Sequence, residues 1–168
     1  CVFSSEWDNN SCRTYEVNHG EMPAGDITKI SADEIPDHDV LFAGFPCQAF
    51  SISGKQNGFD DTRGTLFFDV ARIIKTKRPK MFLLENVKNL LRHDGGKTFS
   101  VISNTLDELG YDVHYKVLRS SDYGVPQARE RIYIVGFECP QKFDFPSPVC
   151  DKGVRVVADV LELDGAHK

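Results

Sequence analysis

The sequence predicts an α/β fold: strands alternating with helices, forming one sheet with helices on both faces. Two short apolar runs, Val40-Leu41-Phe42-Ala43 and Met81-Phe82-Leu83-Leu84, read as buried strands. Segments with apolar residues at helical spacing lie between and beyond them. Alternation at this spacing implies parallel βαβ units.

Residues 1–6 read as a strand ending on the acidic Glu6, and Asp8 to Asn18 as a short helix stopped near His19-Gly20. The second strand runs from Asp39 to Ala43. After it, Ser51 to Gly64 is a loop rich in Gly, Ser, Asp and Lys, close to the upper length for an unstructured connection and therefore expected to be functional or mobile. Thr65 can cap the next helix, in which Leu66, Val70, Ile73 and Ile74 share a face. Lys75, Lys77 and Arg78 favour its C-terminal end, and Pro79 stops it. The strand Met81–Leu84 follows, ending at Glu85-Asn86. A helix over roughly 97–109 carries Phe99, Ile102, Leu106 and Leu109 on one side and stops at Gly110. Strands are expected around 113–119 and 131–137. After Pro146 the composition changes, and Val154, Val157 and Leu161 suggest a last short helix.

The 168 residues suffice for one domain with a substantial core, and 40% apolar with 27% charged residues is ordinary for a globular protein. No apolar run approaches the ~20 residues of a membrane span, and no signal peptide is visible. Five cysteines without a C-x-x-C pair argue against a disulfide framework or a zinc site, and scattered histidines give no metal cluster. A reducing bacterial cytoplasm and a site without metal are expected. The net charge of −5 argues against a large nucleic-acid footprint on this chain alone. The chain starts at Cys1 inside an expected strand, which suggests part of something larger.

In open α/β sheets ligands bind beyond the carboxyl ends of the strands. Four features adjoin such positions. Gly44-Phe45-Pro46-Cys47 leaves the second strand, with Pro46 stiffening the backbone and Gly44 allowing a turn, so Cys47 suits a nucleophile. The ordinary alternative is a buried structural cysteine. Glu85 follows four apolar residues, and desolvation there would keep a proton available; a strand-end carboxylate facing water is the alternative. Arg129 and Arg131 alternate and should share one face, suiting a phosphate or a carbonyl oxygen. Ion pairing with Glu130 or Asp122 is the competing reading. Glu6, at a strand end, suits a ribose hydroxyl or is a solvated carboxylate.

The ordered set of segments is more specific than any of them alone. Gly44-Phe45-Pro46-Cys47-Gln48, Arg63-Gly64-Thr65-Leu66-Phe67-Phe68, Glu85-Asn86-Val87 and Gln127-Ala128-Arg129-Glu130-Arg131 together resemble the motif series of the DNA (cytosine-5)-methyltransferases. Ser5-Glu6-Trp7-Asp8 and Gly25-Asp26-Ile27-Thr28 resemble the cofactor-side motifs of that family. The resemblance runs from Ser5 to about Phe137. It implies a Rossmann-like S-adenosylmethionine-dependent methyltransferase sheet, incomplete at its N-terminus, acting in a restriction–modification system. Cys47 would attack C6 of a flipped cytosine, Glu85 would serve N3, Arg131 would hold the base carbonyl, and Arg129 would be a positioning cation. Glu6, Trp7, Asp26, Ile27, Gly44, Pro46 and Leu66 would bind S-adenosylmethionine. Gln48, Ser51, Ser53, Lys55 and Arg63 would belong to a loop closing over double-stranded DNA. The resemblance further implies a partial catalytic domain over 1–145, with 146–168 beginning the connection to a target-recognition domain outside this sequence. A complementing chain carrying the remaining segments would complete the site. The same chemistry on tRNA, and an inactive assembly module, are the alternatives.

Overall fold

The computed structural model describes residues 1–47 and 66–149. The expected 51–64 loop, the Thr65 cap and the helix near 154–161 lie outside the described residues.

Helix α1 spans Asn9–His19. The Asp8 carboxylate starts it by accepting from the Asn10 and Ser11 amides, and Gly20 ends it at φ 76, where its N–H reaches the Glu16 carbonyl. The strand expected over 1–6 does not form. A strand needs a ladder partner, and this segment has only a local one: Ala24 N–H donates to the Ser4 carbonyl at 2.8 Å. Two single turns of 3-10 helix follow, Ile27–Lys29 capped by Asp26 and Ala32–Glu34 capped by Ser31.

The strands and further α-helices among the described residues are β1 (Val40–Gly44), α2 (Leu66–Lys77), β2 (Met81–Val87), α3 (Lys97–Glu108), β3 (Asp112–Arg119) and β4 (Glu130–Phe137), with 3-10 turns at Lys88–Leu91, His93–Gly96 and Ser120–Tyr123. The sheet order is β1-β2-β4-β3. Only β1 and β2 pair in parallel, and β4 runs antiparallel to both neighbours. The expected parallel βαβ pairing thus holds for β1 and β2, while β4 makes the described sheet a mixed one. The physical reason is the short connection 120–129, too brief for a crossover of a dozen or more residues, so the chain returns as a hairpin.

One face of the sheet carries the main core. Phe82 and Leu84 of β2 and Ile132 and Ile134 of β4 pack against Phe67, Val70, Ala71 and Ile74 of α2 and Ile102 and Leu106 of α3. Gly136 has a specific task here: a Cβ at that position would overlap the Phe82 ring lying across it. A smaller cluster joins Ile73 of α2 to Ala32 and Ile35, with Phe3, Ile27 and Ile30 against it. Leu41 of β1 packs on both clusters and so links them. On the opposite face Phe42 is 70% exposed, while Phe143 stacks on Phe137 and His114. Segment 146–149 is tied to the turn after β3, through the Tyr123 hydroxyl on the Pro146 carbonyl and Val149 N–H on the Asp122 carbonyl.

Candidate active site

Three elements converge where β1 ends. In the parallel register Gly44 stands opposite Glu85. Gly44 has no positive φ, and a Cβ there would sit in ordinary van der Waals contact, 3.6 Å from Glu85 Oε2. The turn expected at Gly44 is replaced by a strand end beside that carboxylate. Phe45 is buried against Phe67, and Cys47 packs at the edge of the main core. Burial pushes the Cys47 thiol above the ordinary cysteine range.

Glu85 lies inside β2, because it is the last residue paired with β1 while pairing with β4 continues to Val87. The desolvated carboxyl expected from the preceding apolar run is corrected by what surrounds it. Its side chain is 34% exposed and faces cations: Arg131 Nε stands 2.9 Å from Oε1, and Arg129 Nη2 stands 3.7 Å from the same oxygen. Strand alternation is the cause. Glu85 pairs with Tyr133, so Arg131, two residues along β4, is its diagonal neighbour on the same face. The expectation that both arginines share a face holds. The alternative pairing with Glu130 does not, since Glu130 is taken by Lys88 at 2.9 Å, although its main-chain carbonyl accepts from Arg131 Nη1.

Asn86 enters the sequence reading only as the strand-end neighbour of Glu85 and a member of the Glu85-Asn86-Val87 segment. It is 2% exposed, and its Nδ2 donates to the Phe45 carbonyl at 2.7 Å while its Oδ1 accepts from the Val87 amide. That bond fastens the Phe45-Pro46-Cys47 turn to the strand bearing Glu85.

The second group of expected residues assembles around the start of α1. Glu6 Oε1 accepts from the Trp7 and Asp8 amides at 2.8 and 2.9 Å, and Oε2 accepts no hydrogen bond among the described residues. Trp7 is 77% exposed and lines an open cavity of about 600 Å³ with Asp8, Asn9, Asn10 and Arg13. Asp26 Oδ1 accepts from the Thr28 amide and hydroxyl, and Oδ2 has the exposed Lys29 ammonium at 3.3 Å. The Ser4–Ala24 bond and the Ser5 hydroxyl on the Gly25 carbonyl hold these two acidic segments side by side. Leu66 is half-buried against the main core at the start of α2. Pro46 is exposed. Gln48, Ser51, Ser53, Lys55 and Arg63 lie outside the described residues.

Residues 1–162 match the family of C-5 cytosine-specific DNA methylases. This chain belongs to that family. It is 62% identical over 163 residues to the Type II methyltransferase M.HaeII of Haemophilus aegyptius, covering 97% of this chain and 51% of that protein. It is 58% identical to M.HhaI of Haemophilus parahaemolyticus, over 88% of this chain and 46% of the relative, and to M.SsoII of Shigella sonnei, over 99% and 45%. The chain thus spans about half the length of the curated relatives it matches. The crystal structure of the S. pombe Dnmt2 methyltransferase shares the fold, with TM-score 0.75 at 20% identity over 98% of this chain and 54% of that one. The α/β, Rossmann-like class is thereby shown for this methylase chain. Among its described residues the four cysteines are free, no helix is long and apolar enough to cross a membrane, and no group of three His, Cys, Asp or Glu could hold a metal.

Proposed function

We propose that this chain is the chemical part of a DNA cytosine-C5 methyltransferase of a restriction–modification system, acting on a cytosine extruded from double-stranded DNA. The observation that carries the reading is the convergence at the end of β1: a thiol, a carboxylate and two guanidiniums supplied by three separate elements. Attack of the Cys47 thiolate on C6 forms a C–S bond and moves the C5–C6 π pair toward C5, turning a poor nucleophile into an enamine. Glu85 serves N3 as that charge develops, and Arg131 holds both Glu85 and the base carbonyl. Once C5 carries its methyl group, loss of the C5 proton to solvent and scission of the C–S bond return the thiolate. Burial raises the Cys47 pKa, so the thiol must lose its proton against that shift before it attacks. The base must leave the stack for any of these groups to reach it.

S-adenosylmethionine, when bound, supplies the electrophilic methyl group. The residues present fit it: Glu6 keeps Oε2 for ribose hydroxyls, Trp7 offers an open ring face in a cavity, and Asp26 keeps one oxygen largely free for an exocyclic amine. Activity would draw on this chain together with the segments that its longer relatives possess, in the same polypeptide or in a complementing one. The test is covalent capture by the intact protein on duplex DNA containing 5-fluorocytosine, with S-adenosylmethionine present. An adduct mapping to Cys47 and abolished by Cys47→Ala is expected. A protein that methylates tRNA and never traps on duplex DNA would sink the DNA assignment.

A further inference from the structure

Arg72 belongs to no motif singled out by the sequence. It lies on α2, and its guanidinium makes two contacts. Nε donates to Asp69 Oδ1 at 3.1 Å, one turn back on the same helix. Nη2 donates to the main-chain carbonyl of Ile27 at 2.8 Å, across forty-five positions of sequence. That carbonyl closes the 3-10 turn Ile27–Lys29, where it also accepts from the Ile30 amide at 3.3 Å. The other end of the turn is held by Asp26 Oδ1 on the Thr28 amide and hydroxyl. The turn is thus clamped at both ends, once by its own cap and once by a helix on the other side of the small apolar cluster. Ile73, the next residue on α2, is buried in that cluster with Ile27 packed against it.

We propose that Arg72 is a positioning residue for the adenine edge of the methyl donor. The proposal rests on the reading that the Asp26–Ile27 segment holds the donor's nucleoside. With Oδ1 spent on the cap, Asp26 has Oδ2 to offer beside the exposed Lys29 ammonium at 3.3 Å, an acceptor suited to the 6-amino group of adenine and not to a 6-oxo group. A carboxylate discriminates only if it is held still, because a donor and an acceptor on the ring differ by a single hydrogen bond. Asp69 fixes Arg72, Arg72 fixes the Ile27 carbonyl, and the turn fixes the Asp26 carboxylate. The lever is specificity for the nucleobase, separate from the thiol chemistry at Cys47.

Binding of S-adenosylhomocysteine and of its deaminated counterpart, S-inosylhomocysteine, to the intact protein tests the idea by calorimetry. Arg72→Ala is expected to weaken the adenosyl ligand about three- to tenfold, in keeping with one hydrogen bond, and the inosyl ligand less than twofold. Its preference for adenine over hypoxanthine therefore falls. Asp69→Ala, which frees the guanidinium without removing it, should lower the preference by a smaller factor, and it carries the test if Arg72→Ala does not fold. Equal loss for both ligands, or no loss, in a variant that melts normally overturns the proposal alone. A wild-type protein that binds neither ligand overturns the donor reading and this proposal with it.

Discussion

Cys47 and Asn86 show how single side chains are set for their tasks. The thiol is displaced upward in pKa by burial, so the native state holds its proton to higher pH than a free cysteine does. The sign follows directly. Stability from the neutral buried thiol is fully present below the free-thiol range near about 8.5 and is lost as pH rises through the native value. Alkylation of Cys47 by iodoacetamide, followed residue by residue in mass spectra, should inflect at higher pH than a short cysteine peptide; an inflection at or below the peptide's would refute the burial argument. Asn86 offers a second measurement. Replacing it by Ala strands the buried Phe45 carbonyl, and the expected loss in chemical denaturation is about 1–3 kcal/mol. Asn86→Asp keeps the acceptor for Val87 but sets a carboxylate against that carbonyl, so it should be no more stable than the alanine variant. Wild-type stability in both would mean the bond to Phe45 carries no weight. Motif order gave away Cys47, Glu85 and both arginines, because each stands next to an apolar strand or in an unusual doublet. Nothing local gave away the Asn86 bond, since its acceptor is a main-chain oxygen forty-one positions earlier.

Among the elements, boundaries were legible to within a residue or two wherever a cap or a period marked them. Asp8 and Gly20 bracket α1, and Gly110 closes the segment after α3. β2 was read too short because Glu85 and Asn86 resemble turn residues; cross-strand pairing to β1 and β4 overrides that preference. The parallel pairing of β1 with β2 was legible from the strand–helix–strand alternation, whereas the direction of β4 was not, because hydrophobic alternation is the same for both directions. The antiparallel insertion of β4 matters to the site, since it is what brings Arg131 diagonal to Glu85. Its seating depends on Gly136 lying under the Phe82 ring. Gly136→Ala should therefore destabilise the fold by about 1–3 kcal/mol through overpacking. Pairing it with Phe82→Leu should recover part of the loss in a double-mutant cycle. Strict additivity would show that the two residues do not meet as described.

For the molecule as a whole, the two sides of the sheet differ sharply. One is filled by α2 and α3, whereas on the other Phe42 stands 70% exposed on β1, the edge strand of the described sheet. An apolar edge of this kind invites association with whatever apolar surface is near. The 168-residue chain on its own should bind an environment-sensitive dye, and Phe42→Thr should lower that binding without lowering the melting temperature. Dye binding unchanged by the substitution would assign the exposed apolar surface elsewhere. Composition had pointed to an ordinary globular chain, and it carries no record of which side of a strand is left open. The fold class was legible because alternating apolar strands and helices admit few arrangements, while the main-chain bonds that tie the Glu6 and Asp26 segments together became visible only in the structure.

The pairing of Gly44 with Glu85 has a consequence for how such a site tolerates change. Successive residues of a strand face opposite ways, so inserting or deleting one residue anywhere in β2 before Glu85 would exchange the roles of its two faces. Leu84 or Asn86 would then stand beside the cysteine turn, and the carboxylate would be driven into the core among Phe67 and Ile134. Substitutions along Met81–Leu84 trade stability by degrees, but a frame shift of one residue there inverts the site outright. The spacing between the end of β1 and the acid of β2 is in this sense a digital property of the fold.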